Sequence, residues 1–163
     1  MAQVVGTHRY AKALLKSAPQ GACAYIDADL RDPETILAKA AETLDFTRPV
    51  AVMLISVLQV VSDDDEARAI IKRLTGACVP GSFVTIAHPA SDIDAEQMAE
   101  MARRLNQFVA EKSTHRTRAC VARLFDGLEL TEPGLVRVAE WRPDSELEAA
   151  TPTVLWGGVA RKA

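Results

Sequence analysis

Residues 48–61 read R-P-V-A-V-M-L-I-S-V-L-Q-V-V, the longest uncharged apolar run in the chain once Arg48 and Pro49 have introduced it. β-Branched residues are frequent in this run, and both alternations are apolar, which is typical of a parallel strand covered by helices on both faces. The run cannot cross a membrane, because a spanning helix needs about 20 apolar residues. We therefore predict a buried central strand over 48–61.

The apolar run stops at Ser62, and three aspartates follow it at 63–65. Ser62 can cap a helix, and the side chain of Asp65, three residues later, can bond back to the backbone of Ser62. The pattern therefore predicts that the strand passes directly into a helix. The aspartates are best explained as negative charge at the start of that helix, with a magnesium site as the alternative. Since ligands of open α/β sheets bind beyond the carboxyl ends of the strands, the segment 56–60 is the first candidate for a site.

Length and composition indicate one domain over residues 1–163. The hydrophobic content of 48% is sufficient for a core, and the formal charge of −3 mixes both signs, so nucleic acid is not an expected partner. The first 18 residues lack the continuous apolar core of a secretory signal, which predicts a cytoplasmic location without a membrane anchor. Cys23, Cys78 and Cys120 are odd in number and widely spaced, which favours reduced thiols over a metal site or a disulfide.

The remaining patterns predict three βα units followed by closely spaced strands, hence a mainly parallel sheet that finishes antiparallel. Asp32 and Pro33 start one helix, and Asp92 or Asp94 starts another whose apolar side reaches Phe108 and Val109. Two further helices are predicted over 7–17 and 63–76. Another helix is predicted to begin after Thr114 or Thr117 and to end at Gly127. The other predicted strands cover 22–27, 82–87, 128–130, 135–141 and 154–161.

Four stretches of the sequence resemble one known family when they are taken together. They are A-Y-I-D-A-D-L-R-D-P at 24–33, F-T-R-P-V-A-V-M-L-I-S-V-L at 46–58, F-D-G-L-E-L-T-E-P-G-L-V at 125–136 and W-G-G-V-A-R-K at 156–162. The chain resembles the actinobacterial S-adenosylmethionine-dependent methyltransferase family of the Rossmann-like class over nearly its whole length. The resemblance implies an α/β sheet with strand order 3-2-1-4-5-7-6 and an antiparallel strand 7, in which the strands at 22, 50 and 82 are the third, fourth and fifth.

Aligned in this way, the resemblance leads us to expect that the first βαβ unit of the family, on the order of 30 residues or more, is missing from this chain. That unit carries the Gly-rich loop at the methionine end of the cofactor and the acidic residue that takes the ribose hydroxyls. We therefore expect a partial domain of a small-molecule methyltransferase that binds S-adenosyl-L-methionine poorly or not at all when it acts alone. A start codon placed too far downstream would explain the same pattern.

The resemblance implies a cofactor site from five residues. Asp29 accepts a hydrogen bond from the exocyclic amine of adenine and Leu30 packs on the ring, while Ser56, Val57 and Gln59 surround the sulfonium and the substrate. From the sequence alone, Asp29 could equally brace the turn that follows it, and Ser56 could be a buried hydroxyl bonded to backbone. Family members commonly carry histidine near Gln59, and because glutamine cannot titrate, no catalytic residue is assigned.

The substrate side is represented only weakly, by His88 and Trp141. His88 follows the strand at 82–87 and could face the same crevice, although a lone histidine before proline is more often structural or solvent-facing. The basic loop 112–118, which includes Arg116, is interpreted as solvated, with a grip on an anionic substrate as the alternative. No metal site is expected, because no histidine has a second ligand at metal spacing.

A second hypothesis comes from a different class of function. Without its first two strands, the family sheet would leave the strand at 22 without its neighbour and one edge of the strand at 50 unpaired, which invites pairing with another chain or direct closure of the gap. The chain would then be a non-catalytic remnant that acts as an interaction module or forms a homo-oligomer through that edge.

Overall fold

The computed structural model describes residues 24–108 and 112–163. The helix predicted over 7–17 and the first two residues of the strand predicted over 22–27 lie outside these residues. In chain order the elements are helix α1 (Pro33–Ala40), strand β1 (Ala51–Ile55), a 3-10 turn (Leu58–Val60), α2 (Asp64–Gly76), β2 (Phe83–Pro89), α3 (Ala95–Leu105), α4 (Arg118–Arg123), β3 (Glu129–Leu130), β4 (Val136–Arg137), a second 3-10 turn (Val138–Glu140), α5 (Glu146–Ala149) and β5 (Leu155–Arg161).

The strands form one mixed sheet in the order β1-β2-β5-β3, with β4 also paired to β5. β1 and β2 are parallel, in a register that runs from Ala51 opposite Phe83 to Ile55 opposite Ala87. β5 is antiparallel to β2, β3 and β4. This order corresponds to strands 4-5-7-6 of the family sheet, so the predicted change from parallel to antiparallel pairing is confirmed.

The prediction of a central buried strand over 48–61 is wrong in both length and position. β1 ends at Ile55 because the next residue, Ser56, adopts the left-handed backbone conformation with φ of +49°. The side chain of Ile55 is 44% exposed. Within the described part of the chain, β1 pairs with β2 alone and lies at the edge of the sheet. Residues 58–60 then coil into the 3-10 turn instead of extending the strand.

The helix predicted after this strand does form, but its cap is one residue later than expected. Asp63, not Ser62, occupies the N-cap of α2, and its carboxylate accepts a hydrogen bond of 2.8 Å from the backbone N–H of Glu66. The 3-10 turn separates β1 from α2, so the predicted direct passage from strand to helix is wrong. The interposed segment is the one that lies at the carboxyl end of β1.

The strand predicted over 22–27 is not formed in its described part. Residues 24–29 have no regular secondary structure, and Tyr25 is 45% exposed. A strand requires a ladder partner, and none of the described strands pairs with this segment. The helix that follows it is confirmed: Asp32 caps α1 by accepting from the N–H of Thr35, and Pro33 occupies the first helical position.

α3 is shorter than its apolar pattern predicts. The helix begins after Asp94, which has φ of +46°, and ends at Leu105. Met98 is buried as expected, but Phe108 lies beyond the helix and is 86% exposed, and Val109 lies outside the described residues. No helix in residues 24–108 or 112–163 is long and apolar enough to span a membrane.

The core lies between the sheet, α2 and α4. It contains fully buried residues from β2, the 3-10 turn and α4, which fixes the turn at the end of β1 to the rest of the fold. Its members are Leu54, Leu58, Val61, Ala67, Ile70, Ile71, Leu74, Val84, Ile86, Val121, Leu124, Phe125, Leu135 and Ala160.

Candidate functional site

A cavity of about 390 Å³ lies beside β1 and extends to its carboxyl end. Its walls come from residues 25–28 and Leu30, from α1 and the residues up to Phe46, from residues 50–54, from Leu74 of α2, and from Ser56, Val57, Gln59 and Val60 beyond the end of β1. Side chains such as Ile36, Leu37 and Val52 make the lining mainly apolar. Ligand sites commonly have volumes of roughly 300–1,000 Å³ and apolar walls with a few placed polar groups, so this cavity is suitable for a small organic ligand.

The backbone conformation of Ser56 sets the position of the cavity wall beyond β1. Its N–H still donates to the carbonyl of Ala87 on β2 at 2.9 Å, after which the chain turns away from the sheet. A positive φ in a residue other than glycine is disfavoured and persists only where the surroundings hold it. The next residues are held from outside, because the N–H of Thr114 donates to the carbonyl of Gln59 at 2.8 Å. Ser56, Val57 and Gln59 therefore line the cavity together.

The polar groups of the cavity are few. Oε1 of Gln59 is buried and has no hydrogen-bond partner within the described part of the chain. Leaving a buried amide oxygen unpaired costs about 1–3 kcal/mol, and native proteins rarely tolerate this without a compensating water or ligand. Gln59 lines the cavity, so a bound molecule with an N–H or O–H donor is one candidate partner for its side-chain amide.

Of the two residues predicted to contact adenine, Leu30 lines the cavity and Asp29 does not. The Asp29 side chain is 60% exposed, and its Oδ1 accepts from the backbone N–H of Arg31 at 2.9 Å and from Nη1 of Arg31 at 3.4 Å. These bonds brace the turn, the role that the sequence left open. Nη2 of Arg31 also donates to the carbonyl of Val60 at 2.5 Å, which ties this turn to the wall beyond β1.

His88 and Trp141 do not line the cavity. His88 is fully buried, with Nδ1 3.0 Å from the carbonyl of Pro89 and Nε2 2.8 Å from Nη1 of Arg116. Burial lowers the pKa of His88 to about 4. Trp141 lies after β4, with Arg142 over its ring at 4.9 Å. The structure thus brings neither residue into the cavity that the other predicted site residues line.

Arg116 is a residue that the sequence reasoning missed. It was assigned to a solvated basic loop, but its side chain is 2% exposed and its Nε lies 2.6 Å from Oδ1 of Asp64. The hydrogen bond to this guanidinium lowers the pKa of Asp64. Nothing in the local sequence indicates this burial, because Arg116 and its carboxylate partner are 52 positions apart.

The three aspartates at 63–65 have separate partners. Asp63 caps α2, Asp64 pairs with Arg116, and Asp65 forms an exposed ion pair with Arg68. Among residues 24–108 and 112–163, no group of three or more histidine, cysteine, aspartate or glutamate side chains is arranged to hold a metal ion. The helix-terminal explanation thus describes the contact of Asp63, while Asp64 has a long-range partner that it does not include.

The chain is similar to known proteins over nearly all of its length. A family model described as S-adenosyl methyltransferase matches residues 4–163. A DUF574 family protein from Streptomyces avermitilis shares 34% identity, with a TM-score of 0.84 over 94% of this chain and 60% of its own. A candidate methyltransferase from Thermobifida fusca shares 31% identity, with a TM-score of 0.78 over 94% of this chain and 58% of its own.

A more distant likeness shows the fold alone. A protein from Methanosarcina mazei, described as an S-adenosylmethionine-dependent methyltransferase, has 11% identity and a TM-score of 0.58 over 99% of this chain and 80% of its own. No curated protein matches the chain. The chain spans about 60% of the length of the Streptomyces avermitilis and Thermobifida fusca proteins. By its family match and its sheet order, it belongs to the S-adenosyl methyltransferase family, with the Rossmann-like fold of that class.

Proposed function

We propose that this chain carries the adenine side of the S-adenosylmethionine site of a small-molecule methyltransferase. One observation carries the proposal: Leu30, Ser56, Val57 and Gln59, four of the five residues that the sequence predicted for the cofactor, line a single cavity at the carboxyl end of β1. Ligands of open α/β sheets bind at this edge. The membership of the chain in the methyltransferase family supports the same site.

The residues present fit the purine part of the cofactor. Leu30 supplies apolar surface on which a planar base can pack, and Val57 and Gln59 line the same cavity where the resemblance puts the sulfonium and the substrate. Oδ2 of Asp29 accepts no hydrogen bond within the described residues, so it can take the exocyclic amine while Oδ1 keeps its bond to the Arg31 backbone. Asp29 as an adenine ligand is thus part of the proposal.

The main contribution of the protein to methyl transfer is to orient the cofactor and the acceptor. S-adenosylmethionine, when it is bound, supplies a methyl group activated by the sulfonium, and transfer of that group is an in-line displacement. Gln59 can orient a nearby group by hydrogen bonding but cannot accept a proton as a base at ordinary pH. The exclusion of water by the apolar walls is the other contribution that these residues make.

The acceptor in this proposal is a small molecule, and the location expected from the sequence is cytoplasmic. We expect weak binding of the cofactor to this chain, because the described residues offer no Gly-rich loop for its methionine end. A dissociation constant in the micromolar range would contradict that weakness but would support the site itself.

The proposal is tested by ligand-observed NMR with S-adenosylhomocysteine, which lacks the reactive methyl group. Gln59→Leu keeps the size of the side chain and removes its hydrogen bond, so we expect binding to weaken by about tenfold. Gln97→Leu, on the exposed side of α3, is the matched control and should bind as the parent chain does. Absence of binding to the parent chain at millimolar ligand, or equal binding by all three proteins, would refute the site.

The edge of β1 supports the second candidate function. Within the described residues β1 pairs only with β2, and Ile55 at its end is 44% exposed. In this alternative the edge pairs with another copy of the chain, which buries apolar side chains and satisfies the unpaired backbone. Sedimentation equilibrium of the purified chain decides the matter: a concentration-dependent dimer favours this role, and a strict monomer excludes it.

A further inference from the structure

Arg116 makes an unusually complete set of contacts for an arginine in the interior. Nε donates to Asp64 at 2.6 Å, Nη1 to the carbonyl of Leu58 at 3.2 Å and to Nε2 of His88 at 2.8 Å, and Nη2 to the carbonyl of Val61 at 2.7 Å. These bonds use four of the five N–H groups of a guanidinium. Such a side chain is held in one orientation and can hold its partners in turn.

Two of these partners flank the 3-10 turn that forms a wall of the cavity. Leu58 and Val61 are fully buried, so their carbonyls need partners within the protein, and the carbonyl of Leu58 also accepts from the N–H of Val61 at 3.2 Å. The turn has no side-chain cap of its own. Gln59 and Val60, which line the cavity, lie between the two carbonyls that Arg116 binds. The guanidinium therefore spans the turn from one end to the other.

The base of the Arg116 side chain is itself anchored to the sheet. Its backbone N–H donates to the carbonyl of Pro89 at 3.1 Å, and its carbonyl accepts from Ser91 at 3.0 Å. These bonds fix the residue beside the carboxyl end of β2, next to His88. The arginine thus links the turn after β1 to β2, because its backbone is bonded to β2 and its side chain to the turn.

The remaining two partners make this arrangement specific for an arginine. Nδ1 of His88 faces a carbonyl, which can only accept, so Nδ1 carries the proton and Nε2 presents its lone pair to Arg116. Asp64 supplies the opposite charge at the start of α2. A lysine would preserve the charge but not the planar fork that reaches four acceptors at once.

We propose that Arg116 is a positioning residue of the cofactor cavity, which fixes the 56–61 wall through the carbonyls of Leu58 and Val61. It contacts no ligand in this role and acts through Val57, Gln59 and Val60. Its effect on cofactor affinity rests on the function proposed above, whereas its effect on the order of the wall does not.

Hydrogen exchange followed residue by residue tests this role in the whole chain. The amides of Val60 and Val61 close the turn, and the amides of β2 report the sheet. We expect Arg116→Lys to speed exchange in the turn by about tenfold or more relative to β2. A merely structural role would speed exchange in both segments alike, so the ratio between them is the readout.

Asp64→Asn is the milder variant in case the Arg116→Lys chain fails to fold. It removes the negative charge that faces the guanidinium while keeping an oxygen acceptor, and we expect a several-fold increase of turn exchange over sheet exchange. Asp65→Asn removes one charge from the same helical turn, where the carboxylate contacts only exposed Arg68, and should leave the ratio unchanged. An unchanged ratio in Asp64→Asn would overturn the proposal.

The affinity for S-adenosylhomocysteine, measured on the same variants, separates the two proposals. If the parent chain does not bind the ligand, the cofactor site fails while the exchange ratio still decides whether Arg116 orders the wall. If the parent chain binds and the loosened variants bind equally well, the positioning role is overturned. Weaker binding that accompanies a looser turn supports both proposals.

Discussion

Nη1 of Arg116 lies 2.8 Å from Nε2 of His88, inside the fold and away from solvent. A protonated imidazole would place two positive charges in contact in the interior. Burial of His88, together with the nearby guanidinium, lowers its pKa to about 4, although the hydrogen bond to Pro89 opposes this shift. The neutral histidine is therefore part of the native contact set.

This contact predicts a dependence of stability on pH. An unfolded histidine takes up a proton below about pH 6.5, whereas native His88 does so only near pH 4, so the unfolded state binds more protons between these values. The free energy of unfolding should then fall as the pH drops from 7 towards 4, by up to about 3 kcal/mol from this residue. Urea denaturation at a series of pH values measures the loss.

His88→Gln is the variant that isolates this contribution. Glutamine keeps an acceptor for Arg116 and cannot titrate, so the slope between pH 4 and 6.5 should become shallower. His115→Gln is the control: burial also lowers the pKa of His115, but less of that side chain is buried, and the slope should change less. A parent-like slope in His88→Gln would show that another group produces the dependence.

Two isoleucines on neighbouring strands test where the core lies. Ile86 on β2 is fully buried, and Ile86→Ala should lower the free energy of unfolding by about 2–5 kcal/mol. Ile55 at the end of β1 is 44% exposed, and the same change there should cost less than about 1 kcal/mol. Comparable losses for the two variants would contradict the placement of β1 at the edge of the sheet.

Two glycines should respond to alanine with opposite signs. A Cβ at Gly157 on β5 would lie 2.7 Å from Cγ2 of Val138, so Gly157→Ala should destabilise the fold by about 1–3 kcal/mol. A Cβ at Gly76, the last residue of α2, meets nothing within 4 Å, and Gly76→Ala should stabilise by about 0.5–1 kcal/mol. Thermal unfolding of both variants measures the difference, and a shift in the same direction for both would be inconsistent with these backbone environments.

Adenosine tests which end of the cofactor this chain recognises. If the purine side supplies most of the contacts, adenosine should displace S-adenosylhomocysteine, and the dissociation constants of the two ligands should differ by no more than about tenfold. Methionine should not displace it. Competition followed by ligand-observed NMR gives both results, and displacement by methionine with none by adenosine would reverse the assignment.

Local signals in the sequence predicted local structure well. Asp32 and Pro33 start α1 as expected, because an N-cap and the residue after it act within one turn of helix. The order of the later strands was predicted from the family resemblance and is confirmed. Leu30, Ser56, Val57 and Gln59 line one cavity, and their contact with the cofactor stays a prediction.

The errors arose where the outcome depends on distant partners. The apolar run at 48–61 could not reveal that the chain leaves the sheet at Ser56. A run of apolar residues is compatible with a buried strand and with a buried 3-10 turn alike. Arg116 appeared solvent-exposed because charge favours the surface, and its burial depends on acceptors from the β1 turn, α2 and β2. Neither feature has a local signature.

The most direct test of the cofactor site is an amide titration of the isotopically labelled chain with S-adenosylhomocysteine. The account predicts that the shifts concentrate at Leu30, Val57, Gln59 and Val60, around the cavity, and that the amides of β3 and α5 stay unchanged. No shifts up to millimolar ligand, or shifts confined to residues away from the cavity, would contradict it.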